Sequence, residues 1–548
     1  MTRQALAAAV ALAAGCAPLG SGGGGIEQAG GSPGRGDRIF ITEFTDVTAV
    51  AAGRRNIYAA TANGVIIYDR QFQRWLPPLT EGVDVGIQPV TAMAVDPLDE
   101  SVWYASAGRL VQYEATIDVL SSTIVPGLVD VIMFDARDPG AGAFIRAGGQ
   151  WYGATRFGSL APIDPAMLPP PGSRVLPSTL AQLYAEFPAL QSTSALITRD
   201  DWAQSWRVSS GSKVPEATEV WLGTRGNGLY RVDPVFQTSE RFPFGLLSSA
   251  AGALAAADRG VWIASGGRGL TGRGGLTYAS SDLQGWRWLE GSSTRPMSAM
   301  RAADLVIDGR VAWIASDQGV IRVDTEHQQD LRLWSALNGL PDDRALSVAA
   351  SAQGTWVGTA RGLAFIPSQG EDDAPRAPSN RTLLGITVRA LELIEDTLWI
   401  GSDAGLMTLD TRMPGSVPQR VRPATGDTRL ARPVRALAAA DSLLAVALDD
   451  GLIALDLRSR RLVQRLLTVN VAAAGRIAAL DADAQGIFVG GSAGALMVDR
   501  ATGAIQLLSV PRDIPAEAVD VLLEREWAWI ATPAGLVRLR RLGGGELR

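Results

Sequence analysis

Acid–base and metal chemistry would fall first on histidine, and this chain has a single one, His327, in the segment DTEHQQD. A Ser-His-Asp triad needs a histidine held beside a serine hydroxyl, whereas the polar residues around His327 are typical of a surface turn between two strands. One imidazole also cannot supply the histidine ligands of the common zinc sites. We therefore predict no metal site and no catalytic role for His327.

Carboxylates offer two other kinds of chemistry. DADAQG (Asp481–Gly486) resembles the opening of a calcium loop, and adjacent pairs such as Asp342-Asp343 contain the two acids that glycoside hydrolysis uses. Asp and Gly recur at the place of DADAQG in other segments, and both are favoured in tight turns by local backbone bonding. Neighbouring acids in a turn show no convergence on one cleft. We interpret these carboxylates as turn residues and expect no enzyme activity and no cofactor.

A glycine-rich stretch and two tryptophans supply the candidate binding residues. No helix is expected after GGRGLTGRGG (Gly266–Gly275), which argues against a phosphate-binding loop, but its Arg268 and Arg273 are candidates for a binding surface. Trp202 and Trp206 follow a long insertion, and insertions between strands often carry binding specificity. Tryptophan there can stack on a sugar ring or anchor a protein partner. The alternative is that both tryptophans cover the insertion.

The insertion occupies roughly residues 160–200 and contains a predicted helix. Apolar residues recur at helical spacing near residues 177–190, in the section from Ser178 to Leu190. Elsewhere the sequence patterns indicate strands, so this helix is an addition to an all-β protein.

The elements that must position these residues are copies of one repeated unit. LWIGSDAGLMTLD (Leu398–Asp410) and TWVGTARGLAFIP (Thr355–Pro367) are two clear copies. In each copy, the position that Trp399 occupies in LWIGSDAGLMTLD holds an aromatic or other apolar residue. These residues are Tyr58, Trp103, Ile145, Trp221, Trp262, Trp313, Trp356, Trp399, Ala445, Phe488 and Trp529. Most of these positions lie 41 to 46 residues apart, which is the length of a four-stranded propeller blade. One gap of 76 residues contains the insertion.

Each part of the unit has a physical reason. The tryptophan strand is apolar on both faces because neighbouring blades cover both sides of a propeller blade. Gly401, two places after Trp399, is expected to leave room beside that ring. Gly405 supplies the positive φ of a tight hairpin. We therefore predict an all-β fold, a β-propeller array of about eleven four-stranded blades.

One segment resembles a known family. NGLPDDRALSVAASAQGTWVGTARGLAFIP (Asn338–Pro367) is similar to the two-component regulator propeller repeat, which joins a GLP segment, an apolar strand and an aromatic-hydrophobic-Gly-Thr strand ending in a Gly-Leu hairpin. The resemblance extends over residues 38–541. It implies an extracytoplasmic role in binding a ligand or partner. The chain shows no kinase or DNA-binding segment, so signalling through an attached kinase is not implied.

Eleven blades exceed the usual number in one ring, so we predict two propellers. Our assignment is an N-terminal propeller of about five blades over residues 38–295 and a C-terminal one of about six over residues 296–548. Four plus seven blades is the alternative. RIFITEF (Arg38–Phe44) precedes the first blade, while the last unit lacks an outer strand after Arg541. The N-terminal strand could complete the last blade, closing one large ring or making one propeller discontinuous.

The start of the chain has the features of an export signal. MTRQALAAAVALAAGC has one basic residue and a short apolar run, and LAAGC resembles a bacterial lipobox. We predict a signal peptide at residues 1–15, lipidation at Cys16, and a glycine-rich flexible tether over residues 16–37. Ala17 after the cysteine favours the outer membrane by resemblance to lipoprotein sorting rules. Ordinary secretion with an incidental cysteine is the alternative.

Charge and composition restrict the partners. The formal net charge is −6 and the isoelectric point about 5.2, which does not favour nucleic acid. Cys16 is the only cysteine, so the mature chain has no internal disulfide. We expect a non-enzymatic envelope lipoprotein, anchored by lipid at Cys16, that acts as a scaffold for protein–protein interaction or envelope assembly. A glycan-binding propeller is the first alternative, and a polysaccharide-active enzyme on this scaffold is the second.

Overall fold

The computed structural model describes residues 26–28, 36–80, 89–156, 158–198, 205–267, 273–290, 297, 300–326, 331–368, 375–376, 383–412, 416–423, 426, 428–449, 451–463, 471–542 and 546–548. Its strands form eleven antiparallel sheets, each built on a unit of the repeat, which confirms the predicted all-β propeller array.

The first four sheets form one ring, which we call the small ring. From inner to outer, its strands are Val47–Ala52, Asn56–Thr61, Gly64–Asp69 and Arg74–Thr80 in blade 1; Ala92–Val95, Val102–Ser106, Arg109–Glu114 and Val119–Ile124 in blade 2; Val129–Asp135, Ala143–Ala147, Gln150–Ala154 and Leu160–Pro162 in blade 3; and Val208–Lys213, Val220–Thr224, Gly228–Asp233 and Thr238–Phe242 in blade 4.

The other seven sheets form the large ring. Its strands are Ala251–Ala257, Gly260–Ser265, Gly275–Ser280 and Trp286–Glu290 in blade 5; Ala302–Asp308, Val311–Ser316, Gly319–Asp324 and Leu331–Trp334 in blade 6; Ala345–Ser351, Gly354–Thr359 and Gly362–Pro367 in blade 7; Val388–Ile394, Thr397–Ser402, Gly405–Asp410 and Gln419–Arg420 in blade 8; Val434–Ala440, Leu443–Leu448 and Gly451–Asp456 in blade 9; Ile477–Ala482, Gly486–Gly491, Gly494–Asp499 and Ile505–Ser509 in blade 10; and Asp520–Leu523, Trp527–Thr532 and Gly535–Arg540 in blade 11.

Hydrogen bonds between inner strands show where each ring closes. In the small ring, the Val50 backbone N–H donates to the hydroxyl of Ser210, 2.7 Å away, which joins blade 1 to blade 4. In the large ring, the Leu254 N–H donates to Oδ2 of Asp520, 2.7 Å away, which joins blade 5 to blade 11. The predicted boundary at residues 295/296 is therefore corrected: blade 5 belongs to the second ring, and the division is four plus seven. Repeat spacing carries no information on which inner strands bond each other.

Two N-terminal strands complete sheets formed by later residues. Strand β2 (Arg38–Ile41) pairs with Gly535–Arg540 as the outer strand of blade 11, so the large ring is discontinuous in sequence, one of the two outcomes expected for this segment. Strand β1 (Ile26–Gln28) pairs with Val119–Ile124 as a fifth strand of blade 2. The segment predicted as a tether over residues 16–37 therefore contains a strand, because the outer edge of blade 2 offers unpaired backbone groups.

The small residues of the repeat make room for the next blade. A Cβ on Gly401 would lie 2.7 Å from Cγ1 of Val434, the first residue of the next inner strand. A Cβ on Gly223 in blade 4 would lie 2.4 Å from Cγ1 of Val47 in blade 1. We expected this glycine to accommodate the tryptophan of its own strand. The structure shows instead that it lets adjacent blades approach, as close packing of the interior requires.

The insertion in the small ring contains two helices and short 3-10 turns. Helix α1 (Leu180–Glu186) begins with a capping box in which Thr179 and Gln182 bond each other's backbone N–H groups. Helix α2 (Ala189–Ile197) extends beyond the predicted helical section. The strand Arg174–Val175 ahead of them pairs with the inner strand of blade 3. Among the described residues, 3-10 turns include Pro139–Ala141, Pro165–Met167, Pro171–Ser173, Ala336–Asn338, Arg429–Ala431 and Ala472–Ala474.

Aromatic side chains fill the contact between the rings. The ring of Phe244, in the connection between blades 4 and 5, lies 4.7 Å from that of Trp75 and 5.0 Å from that of Trp286. The side-chain amide of Gln284 accepts from the Trp75 N–H at 2.7 Å and donates to the Trp75 carbonyl at 3.1 Å. Apolar burial and paired backbone groups thus join blade 1 to blade 5.

Candidate functional site

Two of the predicted binding residues, Trp206 and Arg273, meet between the rings. The Arg273 guanidinium carbon lies 4.9 Å from the centre of the Trp206 ring, within the range of a cation–π contact. The same guanidinium donates to the carbonyl of Gly226 and pairs with the carboxylate of Glu290. Because Arg273 is only 3% exposed, it is not accessible to a ligand here. Its contacts hold blade 4 against blade 5.

A second arginine extends this cluster. Arg241 pairs with the other oxygen of Glu290 at 3.1 Å and lies 4.6 Å from the centre of the Trp288 ring. It also donates to the carbonyl of Asn227 at 3.2 Å. One buried carboxylate therefore receives two guanidinium groups, one from each ring. Buried charges are usually paired in this way, since an isolated one is costly.

Several predicted residues lie outside the described part of the chain. They are Cys16, Trp202, Arg268 and His327.

The acidic turn DADAQG is used within the protein. Oδ1 of Asp483 accepts from the N–H groups of Gln485 and Gly486 at 2.9 Å each, and Oδ2 pairs with Arg541 at 2.6 Å. Oδ2 of Asp481 accepts from the Leu523 N–H at 2.6 Å. These bonds agree with a turn rather than a calcium loop. In the described part of the chain, no group of three or more His, Cys, Asp or Glu side chains is placed to hold a metal ion.

The channel of the large ring has a volume of about 230 Å³ and is lined by the inner strands of its seven blades. Three aspartates on these strands bond the next blade around the ring. Oδ2 of Asp304 accepts from Val348 N–H at 2.9 Å, as Oδ2 of Asp481 and Asp520 do from their own neighbours. Each Oδ1 accepts a local backbone N–H as well. These carboxylates therefore join consecutive blades.

Burial in the channel raises the pKa of all its carboxyl groups. It raises the pKa of Asp304 and of Asp481 to about 6, and it raises that of Asp520 well above the ordinary value. Bonds from backbone N–H groups oppose the increase, because they favour the charged form. Loss of water around the charge is the larger effect in each case.

Glu392 differs from the three aspartates. No donor among the described residues bonds its carboxylate. Burial, and then the nearby charges of Asp481 and Asp304, raise its pKa to about 8. Glu392 is therefore mostly protonated at neutral pH, and the channel contains less negative charge than its four acids would indicate.

A different surface of the small ring carries exposed apolar side chains. We call it the turn face: the edge formed by the turns between inner and second strands and between third and outer strands. Phe72, Ile117 and Phe236 occupy the tips of the outer turns in blades 1, 2 and 4, and they are 59%, 62% and 78% exposed. Leu98 and Leu176 are exposed on the same edge at 56% and 50%.

Comparable turns in the large ring show that the fold does not require these apolar residues. The Phe72 N–H donates to Oδ1 of Asp69, three residues earlier, at 3.1 Å. In the equivalent turn of blade 9, Ser459 donates to Oδ1 of Asp456 with both its N–H and its hydroxyl, at 2.7 Å each. Thr502 in blade 10 bonds in the same way. A hydroxyl residue therefore suits this turn better than phenylalanine does.

The turn face also has a central cavity and paired charges. The cavity has a volume of about 150 Å³ and is lined by residues that include Val95, Phe134 and Leu176. Ion pairs surround it: Arg54 with Glu216 at 3.0 Å, Arg70 with Glu219 at 2.9 Å and Lys213 with Glu186 at 2.5 Å. Glu100 and Lys213 also line the cavity, so the turn face combines exposed apolar tips with paired charges, as protein–protein interfaces do. Sequence reasoning missed this surface, although aligning the Asp-x-x-Phe turns would have found Phe72 and Phe236.

The fold and its surfaces define an all-β, two-ring propeller protein. No protein family model matches the sequence, and a search of curated proteins finds no match. None of the helices in the described residues is both long and apolar enough to cross a membrane.

A solved structure, that of PorZ, shares this fold. PorZ, an "essential bacterial surface component of the type-IX secretion system" of Porphyromonas gingivalis, matches 93% of this chain and 88% of its own with 11% identity and a TM-score of 0.52. The extracellular domain of the putative hybrid two component system BT4673 from B. thetaiotaomicron matches 90% of this chain and 69% of its own, with 12% identity and a TM-score of 0.41. At these identities, the similarity to PorZ shows a shared fold alone.

Proposed function

We propose that this protein is a non-enzymatic scaffold of the cell envelope that binds a protein partner through the turn face of its small ring. The observation that carries the proposal is the set of exposed tips at Phe72, Ile117 and Phe236. Exposed apolar groups cost solubility, and three of them on one edge of the same ring suit an interaction site. Serine and threonine occupy the equivalent Asp turn in blades 9 and 10 of the large ring, so this turn does not require the apolar tips at Phe72 and Phe236.

The surrounding charges favour a protein over other partners. The ion pairs around the central cavity leave no excess of positive charge that would attract nucleic acid or anionic lipid. Aromatic side chains on rigid turns lose little conformational freedom on binding and often supply most of the binding energy. The use of a similar fold in PorZ, a surface component of a secretion system, agrees with a role in envelope assembly. Export and anchoring through Cys16 form part of the same proposal.

The glycan alternative has less support among the described residues. Trp206, one of the two tryptophans expected to stack on a sugar, contacts Arg273 and lies against Gly226. Turnover of a polysaccharide by the pure protein would contradict both the scaffold and the glycan-binding proposals.

Crosslinking followed by affinity measurement tests the turn face. A photo-crosslinking amino acid at position 72, 117 or 236 should give the same protein adduct in intact cells, and one at position 502 should not. The adduct protein is then purified, and its Kd is measured for the F72S/I117T/F236S variant. We expect Kd to rise at least about tenfold, because each buried apolar anchor contributes about 1 kcal/mol or more.

Two controls make the result specific. The melting temperature of the triple variant should not fall, since all three side chains are more than half exposed and serine suits the Asp turns at positions 72 and 236. The L337S variant removes a leucine that is 98% exposed on the large ring, and its Kd should equal that of the parent protein. An unchanged Kd in the triple variant, or equal losses in both variants, would contradict the proposed site.

A further inference from the structure

The strand β1 fixes where the N-terminal segment meets the small ring. Its pairing places Ile26 opposite Ser121 and Gln28 opposite Val119, antiparallel to the outer strand of blade 2. That outer strand begins at the turn face with Val119 and ends at the opposite edge with Ile124. We call this opposite edge the crossing edge, because the chain crosses there from blade to blade. The start of β1 is therefore the end nearer to the crossing edge.

Two exposed apolar side chains lie on the crossing edge beside this strand. Ile124 is 74% exposed and Leu128 is 67% exposed. Between and after them Val125 and Val129 are buried, at 5% and 1% exposure. The two buried valines thus hold a loop that exposes Ile124 and Leu128.

The loop is held by backbone hydrogen bonds to two hairpins. The Val125 N–H donates to the carbonyl of Gly108 in blade 2 at 3.0 Å, and the Gly148 N–H in blade 3 donates to the carbonyl of Leu128 at 3.0 Å. Arg146, on the strand before Gly148, pairs with Asp130 at 2.6 Å. The loop that carries Ile124 and Leu128 is therefore fixed by hydrogen bonds. The charge of Asp130 beside it is neutralised by Arg146.

The length of chain before β1 limits its distance from the lipid. If Cys16 carries the lipid, nine residues separate it from Ile26, and the ten Cα–Cα steps between them span at most about 35 Å. This connection therefore keeps the start of β1 within about 35 Å of the lipidated cysteine. The crossing edge of blade 2 is the part of the small ring closest to that start.

We propose that Ile124 and Leu128 dock this edge onto the surface of the lipid bilayer in which the Cys16 lipid is inserted. Apolar side chains on a fixed loop can enter the boundary between headgroups and acyl chains. The proposal rests on the anchoring at Cys16 that forms part of the proposed function. It also orients the molecule, because the turn face lies on the opposite edge and points away from the bilayer.

Fluorescent labelling can test this contact in the full-length lipidated protein. Cys16 is the only native cysteine and is blocked by the lipid, so I124C can be labelled selectively with an environment-sensitive nitrobenzoxadiazole dye. The protein is placed in vesicles of phosphatidylethanolamine and phosphatidylglycerol, with or without lipids that carry a doxyl quencher on the acyl chain. F236C, on the turn face, is the matched control.

We expect the I124C label to gain severalfold in fluorescence on vesicle binding and to be quenched by the doxyl lipids, while the F236C label stays unchanged. Protein that fails to float with vesicles would contradict the lipid anchor, and this proposal with it. Protein that floats while the I124C label stays in water would overturn the docking edge alone. Protection of the label without doxyl quenching would mean that a second copy or another protein covers the edge, and it would also overturn the proposal.

Discussion

Replacing Glu392 by glutamine tests how the channel of the large ring is stabilised. Burial raises the pKa of this carboxyl group from 4.5 to about 8, so the folded protein keeps a proton that the unfolded chain releases between these values. The contribution of Glu392 to the free energy of unfolding therefore falls as the pH rises from about 4.5 to about 8, and it is lowest above that range. Glutamine has a similar shape and no charge, so E392Q should remove this loss.

The size of the effect follows from the pKa difference. Each unit corresponds to about 1.4 kcal/mol, so the difference sets an upper limit of about 5 kcal/mol above pH 8. Glu392 is only partly buried, so solvent screens part of its charge, and we therefore expect a gain of about 2 kcal/mol for E392Q at pH 9. For a unit of roughly 300 residues this raises the melting temperature by about 3 °C.

Calorimetric melting at pH 5 and pH 9 provides the assay. E392Q should melt at nearly the parent temperature at pH 5 and above it at pH 9. D520N is the contrasting variant, because both oxygens of Asp520 accept backbone N–H groups. An amide nitrogen facing one of them should lower the melting temperature at pH 5 by breaking the bond that closes the ring. Equal shifts for E392Q at both pH values, or destabilisation at pH 9, would refute our account of Glu392.

Three other predictions concern the joins between blades and rings. R273M leaves Glu290 with one of its two guanidinium partners and should destabilise the protein by about 2 kcal/mol or more; thermal melting of R273M and R273M/E290Q should show partial recovery in the double variant. G401A should lower the free energy of unfolding by only about 1 kcal/mol, because other blades accommodate alanine at this position. G401V should lower it by about 3 kcal/mol or more, because its side chain clashes with Val434. Equal urea midpoints for the two variants would contradict this prediction. Deletion of residues 1–41 removes β2 and should lower the melting temperature of the large ring; a peptide of residues 38–44 should restore it in trans, and a truncated protein as stable as the parent would show that β2 is dispensable.

The repeat made much of this fold predictable. Aromatic or apolar residues about 43 residues apart located the second strand of every blade, and ten of those eleven side chains are buried in the structure. The pattern located these strands because every blade packs in the same way. Each places a large side chain in the core and a small residue where the next blade approaches. The positive φ of Gly405, +101°, confirms the hairpin expected after Trp399.

The grouping of blades into rings could not be read in the same way. Ser210 and Asp520 close the two rings by accepting N–H groups from strands that are 160 and 266 residues away. A serine or aspartate on an inner strand also occurs where no ring closes, as Asp304 shows by bonding the very next blade. The residue type alone therefore does not show whether a side chain closes a ring or joins consecutive blades within it.

The binding residues were predicted less well than the fold, because the described residues chosen from the sequence hold the structure together. Arg273, a candidate because it interrupts a glycine-rich stretch, is buried against Glu290 between the rings. Phe72 and Phe236 lie in turns of ordinary length, which carry no signal of function in the sequence. A turn with Asp at its first position can accept either a hydroxyl or an apolar residue at its tip, and only the hydroxyl adds a bond to the Asp. Blades 1 and 4 of the small ring have phenylalanine at the tip of such a turn, which gives up that bond and exposes carbon to water. Within the chain, the guanidinium groups of Arg55 and Arg74 contact the Phe72 ring at 5.6 and 5.3 Å. Phe72 nevertheless stays 59% exposed and Phe236 78% exposed, and this exposed apolar surface is what the proposed protein partner would cover.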